Sequence, residues 1–307
     1  PRKLTHHIFV KTSLIYMLKM YATYTQKHGV PDVLHAQNIF FGGILGSFLK
    51  KKEDIPLVIT EHSSIFLTQT NKSWEMKYIT SVLKTADKVL TVSPVLAEAL
   101  NTFEASCSIS VLGNIVDTDY FVPPEKQLAP SPFIFSSVGF LKKIKRFDLL
   151  IRAFKRSFQA KNVLLYIAGE GNQREALENL VNELELKSQI KLLGQLERED
   201  VRKLIQKSHV VVSSSSTETF GVTLVEATAC GKPIIATRCG GPESIVDEQN
   251  GILVPINDVV ALTNAMKKMI ETWANYNSEQ IRAKCITRFG ESAIIGQLEH
   301  IYHDLLR

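Results

Sequence analysis

From about residue 130 onward, short unbroken apolar runs alternate with segments of helical spacing. Phe133–Val138 is the first run and ends at Gly139. Phe147 to Phe158 then places Leu149, Leu150, Ala153 and Phe154 on one helical face. Val163–Ala168 is a second strand, closed by Gly169-Glu-Gly171, and a helix through Leu177, Leu180, Val181 and Leu184 follows it. Ile190–Leu193 ends at Gly194, and a short helix is predicted over 201–208. Val210–Ser213 is the next strand, then a helix from Val222 to Cys230 stopped by Gly231 and Pro233. Pro233–Thr237 is another strand, followed by Gly240-Gly-Pro242. Continuous apolar strands with intervening helices predict a parallel sheet covered on both faces. The glycines fall at the carboxyl ends of those strands, where open α/β sheets bind ligands.

The first part of the chain repeats this pattern less fully. Residues 1–30 read as a helix leading to Pro31-Asp-Val. Strands are predicted at 31–35, 56–60, 87–92 and 109–112, with helices near 42–50 and after Pro94. Leu128-Ala-Pro-Ser-Pro132 is the expected linker. Glu291 to Leu306 carries the spacing of an amphipathic helix. The expected division is a first domain over 1–128, joined by a returning helix at 291–307, and a second domain over 129–290.

Composition adds limits rather than direction. The chain has 307 residues, 45% hydrophobic and 22% charged, which suits a globular protein of two domains. The formal net charge of +5 is not concentrated in either half, so nucleic acid is not expected as a partner. The four cysteines form no C-x-x-C pair and have no histidine cluster beside them, a pattern of reduced cytoplasmic thiols without a metal. No run of 18 apolar residues is present to span a bilayer. Lys50-Lys-Lys52 and the stretch Ser13 to Tyr24 are the candidates for peripheral contact with an anionic membrane.

The densest chemistry lies between Ser213 and Pro233. A strand exits into Ser-Ser-Ser-Thr, then Glu218, then Phe220-Gly221 opening a helix. The first amides of a helix lack internal partners and, with the helix dipole, suit a phosphate. Glu226 follows on the same helix, roughly 7–8 Å beyond Gly221 along the axis. Two carboxylates so placed can accept hydroxyls on either side of a diphosphate. Either glutamate alone reads as an ordinary solvated or dipole-complementing residue; the whole arrangement does not.

At these residues the chain resembles the family 4 glycosyltransferases, group 1 type, which retain anomeric configuration and have the two-domain GT-B fold. The E-x7-E element at Glu218 and Glu226 is the most specific match. Ala227-Thr-Ala-Cys-Gly-Lys-Pro233, Gly240-Gly-Pro-Glu243, Asn250–Val254 and Asn114-Ile-Val-Asp117 agree as well. The resemblance implies two Rossmann-like domains with parallel sheets. It implies that Glu218 holds hydroxyls of a donor hexose beside Phe220, Gly221, Val222 and Thr223, and that Glu226 holds the ribose. Lys145, near Gly139, would face the diphosphate and offset charge on the leaving group. The base would lie near Leu196, and His62 would face the gap between donor and acceptor. The implied donor is a UDP-, GDP- or ADP-sugar, with no cofactor and no metal. The implied acceptor is a carbohydrate or lipid-linked hydroxyl, and the implied location is the cytoplasm, including its membrane face.

Two features depart from the pattern. Phe140 stands where many relatives carry Arg, with Arg146 and Lys143 as possible substitutes. The opening strand and glycine-rich turn of the family are not found ahead of residues 1–30, and the first residue is Pro1. The expectation is therefore a chain lacking its amino-terminal part, with an incomplete first domain and a more stable second one. Both departures keep open a catalytically impaired sugar-nucleotide-binding or assembly protein. A different reaction on the same fold, such as epimerisation, would need an acid–base pair that the sequence does not offer.

Overall fold

The computed structural model describes residues 2–68, 73–103, 105–126, 129, 131–158 and 161–307. It divides into two compact units, residues 1–113 with 295–307, and residues 114–294.

The first unit is built on four parallel strands, β1 (Leu34–Gln37), β2 (Leu57–Glu61), β3 (Lys88–Thr91) and β4 (Ile109–Val111), hydrogen-bonded in that order. All five residues of β2 are buried, as a central strand covered on both faces must be. The helices are α1 (Arg2–His28), α2 (Gly43–Glu53), α3 (Ser73–Leu83) and α4 (Pro94–Asn101). A π-helical turn at Asn38–Gly42 leads from β1 into α2. Pro94 begins α4, where a missing backbone N–H costs no helical bond. Tyr302, near the chain's end, ties into this unit through a 2.5 Å hydrogen bond between its hydroxyl and His35 Nδ1.

The second unit holds six parallel strands: β5 (Phe133–Val138), β6 (Val163–Ala168), β7 (Ile190–Leu192), β8 (Val210–Ser213), β9 (Ile234–Thr237) and β10 (Gly251–Val254). Their spatial order is β10-β9-β8-β5-β6-β7. The chain thus builds outward from β5 through β6 to β7, then returns to the other side of β5 and builds outward again. That reversal makes the carboxyl ends of β5 and β8 the topological switch point, where such sheets bind ligands. The helices are α5 (Phe147–Phe158), α6 (Arg174–Glu183), α7 (Arg198–Lys207), α8 (Val222–Ala229), α9 (Val259–Thr272) and α10 (Ser278–Phe289); α11 (Glu291–Leu305) starts in this unit and belongs to the first from Ile295 on. A continuous core runs from Phe135 and Leu165 on the sheet to Leu150 and Phe154 on α5 and Met266 and Met269 on α9. Phe135 stacks on Phe158 with ring centres 5.6 Å apart.

Both sheets are parallel and flanked by helices, the α/β class expected. The border between the units falls at 113/114, ahead of the expected 128/129. The reason is the hydrogen bonding of the segment after Gly113. Val116 N–H donates to Phe289 O (2.9 Å), Asp117 pairs with Arg198 (2.9 Å), and Arg282 donates to the carbonyls of Thr118 and Phe121 (both 2.8 Å). Every one of these partners lies in the second unit. At the other end that unit extends to Ile294, inside α11, rather than to 290. Part of the expected linker, at 128 and 130, lies outside the described residues.

Candidate active site at the switch point of the second sheet

The loop leaving β5 carries Gly139 to Arg146, and the loop leaving β8 carries Ser214 to Gly221. Leu141 anchors the first loop: it is fully buried, its N–H donates to Glu170 O (2.8 Å), and its carbonyl accepts from Gln173 N–H (2.9 Å). Gly169 permits this crossing, since its φ is +139° and a Cβ there would lie 1.9 Å from Gly139 O. The loops are then stitched together. Ser216 N–H donates to Ile144 O (2.8 Å), and the Ser214 hydroxyl donates to Lys145 O (2.9 Å) and Arg146 O (3.0 Å). Three serines in succession are used here as short-range hydrogen-bonding groups.

This stitching sets Lys145 against Glu218. The ammonium lies 2.5 Å from Glu218 Oε2, with both side chains about one-quarter to one-fifth exposed (25% and 20%). The Ser215 hydroxyl reaches the same oxygen at 3.3 Å. The backbone of Glu218 is fixed from the far side, its N–H donating to Cys239 O (3.1 Å) and its carbonyl accepting from Gly241 N–H (2.7 Å). The Gly240-Gly-Pro motif is therefore the splint that holds Glu218 at the cleft. Gly221 caps α8 with φ +110°, and no side chain caps this helix. Its first-turn amides keep their capacity for an external acceptor.

A cleft of about 290 Å³ opens between the two loops. Its walls bring together Gly139, Lys145, Glu218, Phe220, Gly221, Val222 and Thr223 from the sequence-based candidates. Asn114 and Ser213–Ser215 line it as well. Asn114 opens the Asn114-Ile-Val-Asp117 match, whose residue types alone do not mark it as a wall of the cleft. Lys145 is the one basic residue among the described lining residues. Phe140 lines the same cleft and is 68% exposed. Arg146 does not replace the absent cation, because it is turned into a salt bridge with Asp148 (3.1 Å) and a hydrogen bond to Asn257.

Three candidates lie elsewhere. Leu196 is half-buried in the loop after β7 and is not part of the cleft wall. Glu226 sits further along α8, also outside that wall, and burial pushes its carboxyl up to about 7 against the opposing charge of Arg198. His62 belongs to the first unit, where its Nε2 is 2.9 Å from Gln37 Oε1. Its neighbour Glu61 is 1% exposed and accepts the N–H groups of Ile39 (2.8 Å), His62 (2.9 Å) and Ser63 (2.6 Å). Burial raises the Glu61 carboxyl, and the three amides oppose the shift. Among the described residues no group of three or more His, Cys, Asp or Glu side chains could hold a metal ion, and no helix is long and apolar enough to cross a membrane.

Known proteins share this framework. The family model for glycosyl transferases group 1 matches residues 122–286, and that for glycosyltransferase family 4 matches residues 8–120. An uncharacterized glycosyltransferase of Methanocaldococcus jannaschii is 29% identical over 253 residues, covering 82% of this chain and 67% of that protein. The N-acetyl-alpha-D-glucosaminyl L-malate synthase of Bacillus anthracis is 25% identical over 289 residues, covering 90% and 75%. One human phosphatidylinositol N-acetylglucosaminyltransferase subunit is 26% identical over 279 residues, covering 88% and 56%. Among solved structures, sucrose-phosphate synthase of Thermosynechococcus elongatus superposes with a TM-score of 0.81 at 24% identity, covering 95% of this chain and 78% of that one. HepE of Anabaena, solved with UDP, gives 0.81 at 21% identity over 92% and 81%. The likeness to both structures is one of fold, the GT-B arrangement of two Rossmann-like domains. With the group 1 model matched over more than half of its length, the chain belongs to the group 1 glycosyltransferases.

Proposed function

We propose that this protein transfers a hexosyl group from a nucleoside-diphosphate sugar to an acceptor hydroxyl, with retention of configuration and without a metal. The observation that carries this reading is the Lys145–Glu218 pair, set across the switch point beside the uncapped start of α8. Paired in this way, each group neutralises the other. A diphosphate between Lys145 and the α8 amides would take over the ammonium, and Glu218 would then accept hydroxyls of the donor sugar. The cation and the helix start would offset the charge that grows on the departing diphosphate. Glu226 would hold the ribose. Retention of configuration rests on the family resemblance alone.

The names of two relatives carry an N-acetylglucosaminyl group, one with L-malate and one with phosphatidylinositol. UDP-N-acetylglucosamine is therefore the first donor to test, followed by UDP-, GDP- and ADP-hexoses. Reduced thiols fit action in the cytoplasm. The assay is release of the nucleoside diphosphate in the presence of acceptor. Wild-type turnover in Lys145→Ala or Glu218→Gln would refute the assigned roles. A second reading, a protein that binds the donor without turning it over, draws on Phe140 in place of a cation. Donor binding with no release of nucleoside diphosphate across all donors would select it.

A further inference from the structure

We propose that the face of the first unit between α2 and α3 docks on an anionic lipid bilayer. A shallow groove of about 830 Å³ runs there, lined by Lys50, Lys51, Lys77 and Lys84 together with Met76 and hydroxyl-bearing residues such as Thr80. No carboxylate is among the described lining residues. Lys50 pairs with Asp87, while Lys51 and Lys77 are exposed.

The groove continues into an apolar depression of about 200 Å³ formed by Leu14, Ile44, Phe48 and Tyr78, and the two share Lys51 and Ser81. This adjacency follows from the α2 sequence. Gly43, Gly46, Ser47 and Leu49 take the buried side of the helix. Ile44 and Phe48 then fall four residues apart, with Lys51 and Lys52 one turn beyond Phe48. Phe48 is left 42% exposed beside the ammonium groups.

Charge and apolar surface in one stripe decide between occupants. A soluble polyanion needs only the lysines and gains nothing from an exposed aromatic ring. A bilayer uses both: headgroup phosphates meet the lysines while Phe48 enters the headgroup–acyl boundary. Each lysine near an anionic surface contributes about fivefold to partitioning. The docking does not depend on the donor chemistry of the second unit.

The test is sedimentation of the protein with vesicles of phosphatidylcholine alone and of phosphatidylcholine containing phosphatidylglycerol. Binding is expected only to the anionic vesicles. Lys51→Gln with Lys77→Gln should lower partitioning about 25-fold, an effect that salt suppresses. Phe48→Ser should lower it roughly tenfold and keep its effect at high salt. UDP affinity and the thermal midpoint should be unchanged in both variants, which separates lost docking from lost folding. Absence of binding, equal binding to both vesicle types, or variants that bind like wild type would overturn the proposal. So would competition by single-stranded DNA with Phe48→Ser silent, since that marks a general polyanion surface.

Discussion

Glu61 ends a parallel strand and Glu218 stands in the loop that leaves one, yet the two are held in opposite ways. Glu61 is 1% exposed and its oxygens are occupied by three backbone N–H groups of its own neighbourhood. Glu218 has its backbone fixed by residues 239–241 but offers its carboxylate to one ammonium and one hydroxyl. A carboxylate saturated by local amides is architecture, because a ligand would have to break several bonds to use it. A carboxylate balanced by a single mobile cation can exchange that partner for a ligand. Under the proposed function, the difference puts the chemistry at the second unit's switch point and a structural role at the corresponding corner of the first.

The largest expected effect is on turnover. Lys145→Ala and Glu218→Gln should each lower kcat by about 10²–10³-fold or more while the protein stays folded, as removal of one transition-state partner does elsewhere. Steady-state assays with circular dichroism as a control measure this. Glu61→Ala should do the reverse, leaving the second unit's nucleotide affinity intact while destabilising the first unit by about 3 kcal/mol, because three amides lose their acceptor. Hydrogen exchange resolved by residue separates a local loss in the first unit from a global one. If Glu61→Ala instead lowers donor affinity and spares stability, the contrast between the two carboxylates fails.

Glu226 gives a pH test of the second unit. Its carboxyl is raised from 4.5 to about 7 by burial, so the folded state favours the neutral form. Its contribution to stability is present in full below about 4.5 and declines as pH rises to about 7. Glu226→Gln should remove that slope in denaturant titrations between pH 5 and 8. The ionised group is the better acceptor for ribose hydroxyls, so UDP affinity should rise through about pH 7 in the wild type and stay flat in the variant. The smallest effect concerns Phe140, whose ring is exposed in the cleft. Phe140→Arg restores a cation at its rim and should raise UDP affinity by about two- to fivefold, the size of an exposed ion pair.

The sheet of the second unit is legible in the sequence where its strands are unbroken apolar runs, closed by glycine after β5 and β6 and by serines after β8, and all three fall where those runs predict. Helices α3, α9 and α10 are not. Trp273-Ala-Asn-Tyr-Asn277 interrupts the last stretch, and the apolar face of α9 becomes meaningful only against α5. The positions of Glu218 and Gly221 are visible as a motif. Their arrangement is not, since Lys145 meets Glu218 across 73 residues of sequence through a serine-stitched pair of loops. Burial of Glu226 is hidden for the same reason: helix rise gives spacing along an axis but not what covers it. Nor does sequence separate Glu61 from Glu218, because local amides that saturate a carboxylate leave no mark in residue types.

Calorimetric titration of the wild type and Lys145→Ala with UDP, GDP and ADP tests the central claim most directly. The switch-point cleft as a sugar-nucleotide site requires that one of these nucleotides binds the wild type and that Lys145→Ala weakens it at least tenfold. Equal affinity in the two proteins, or no binding of any nucleoside diphosphate to the wild type, would contradict it.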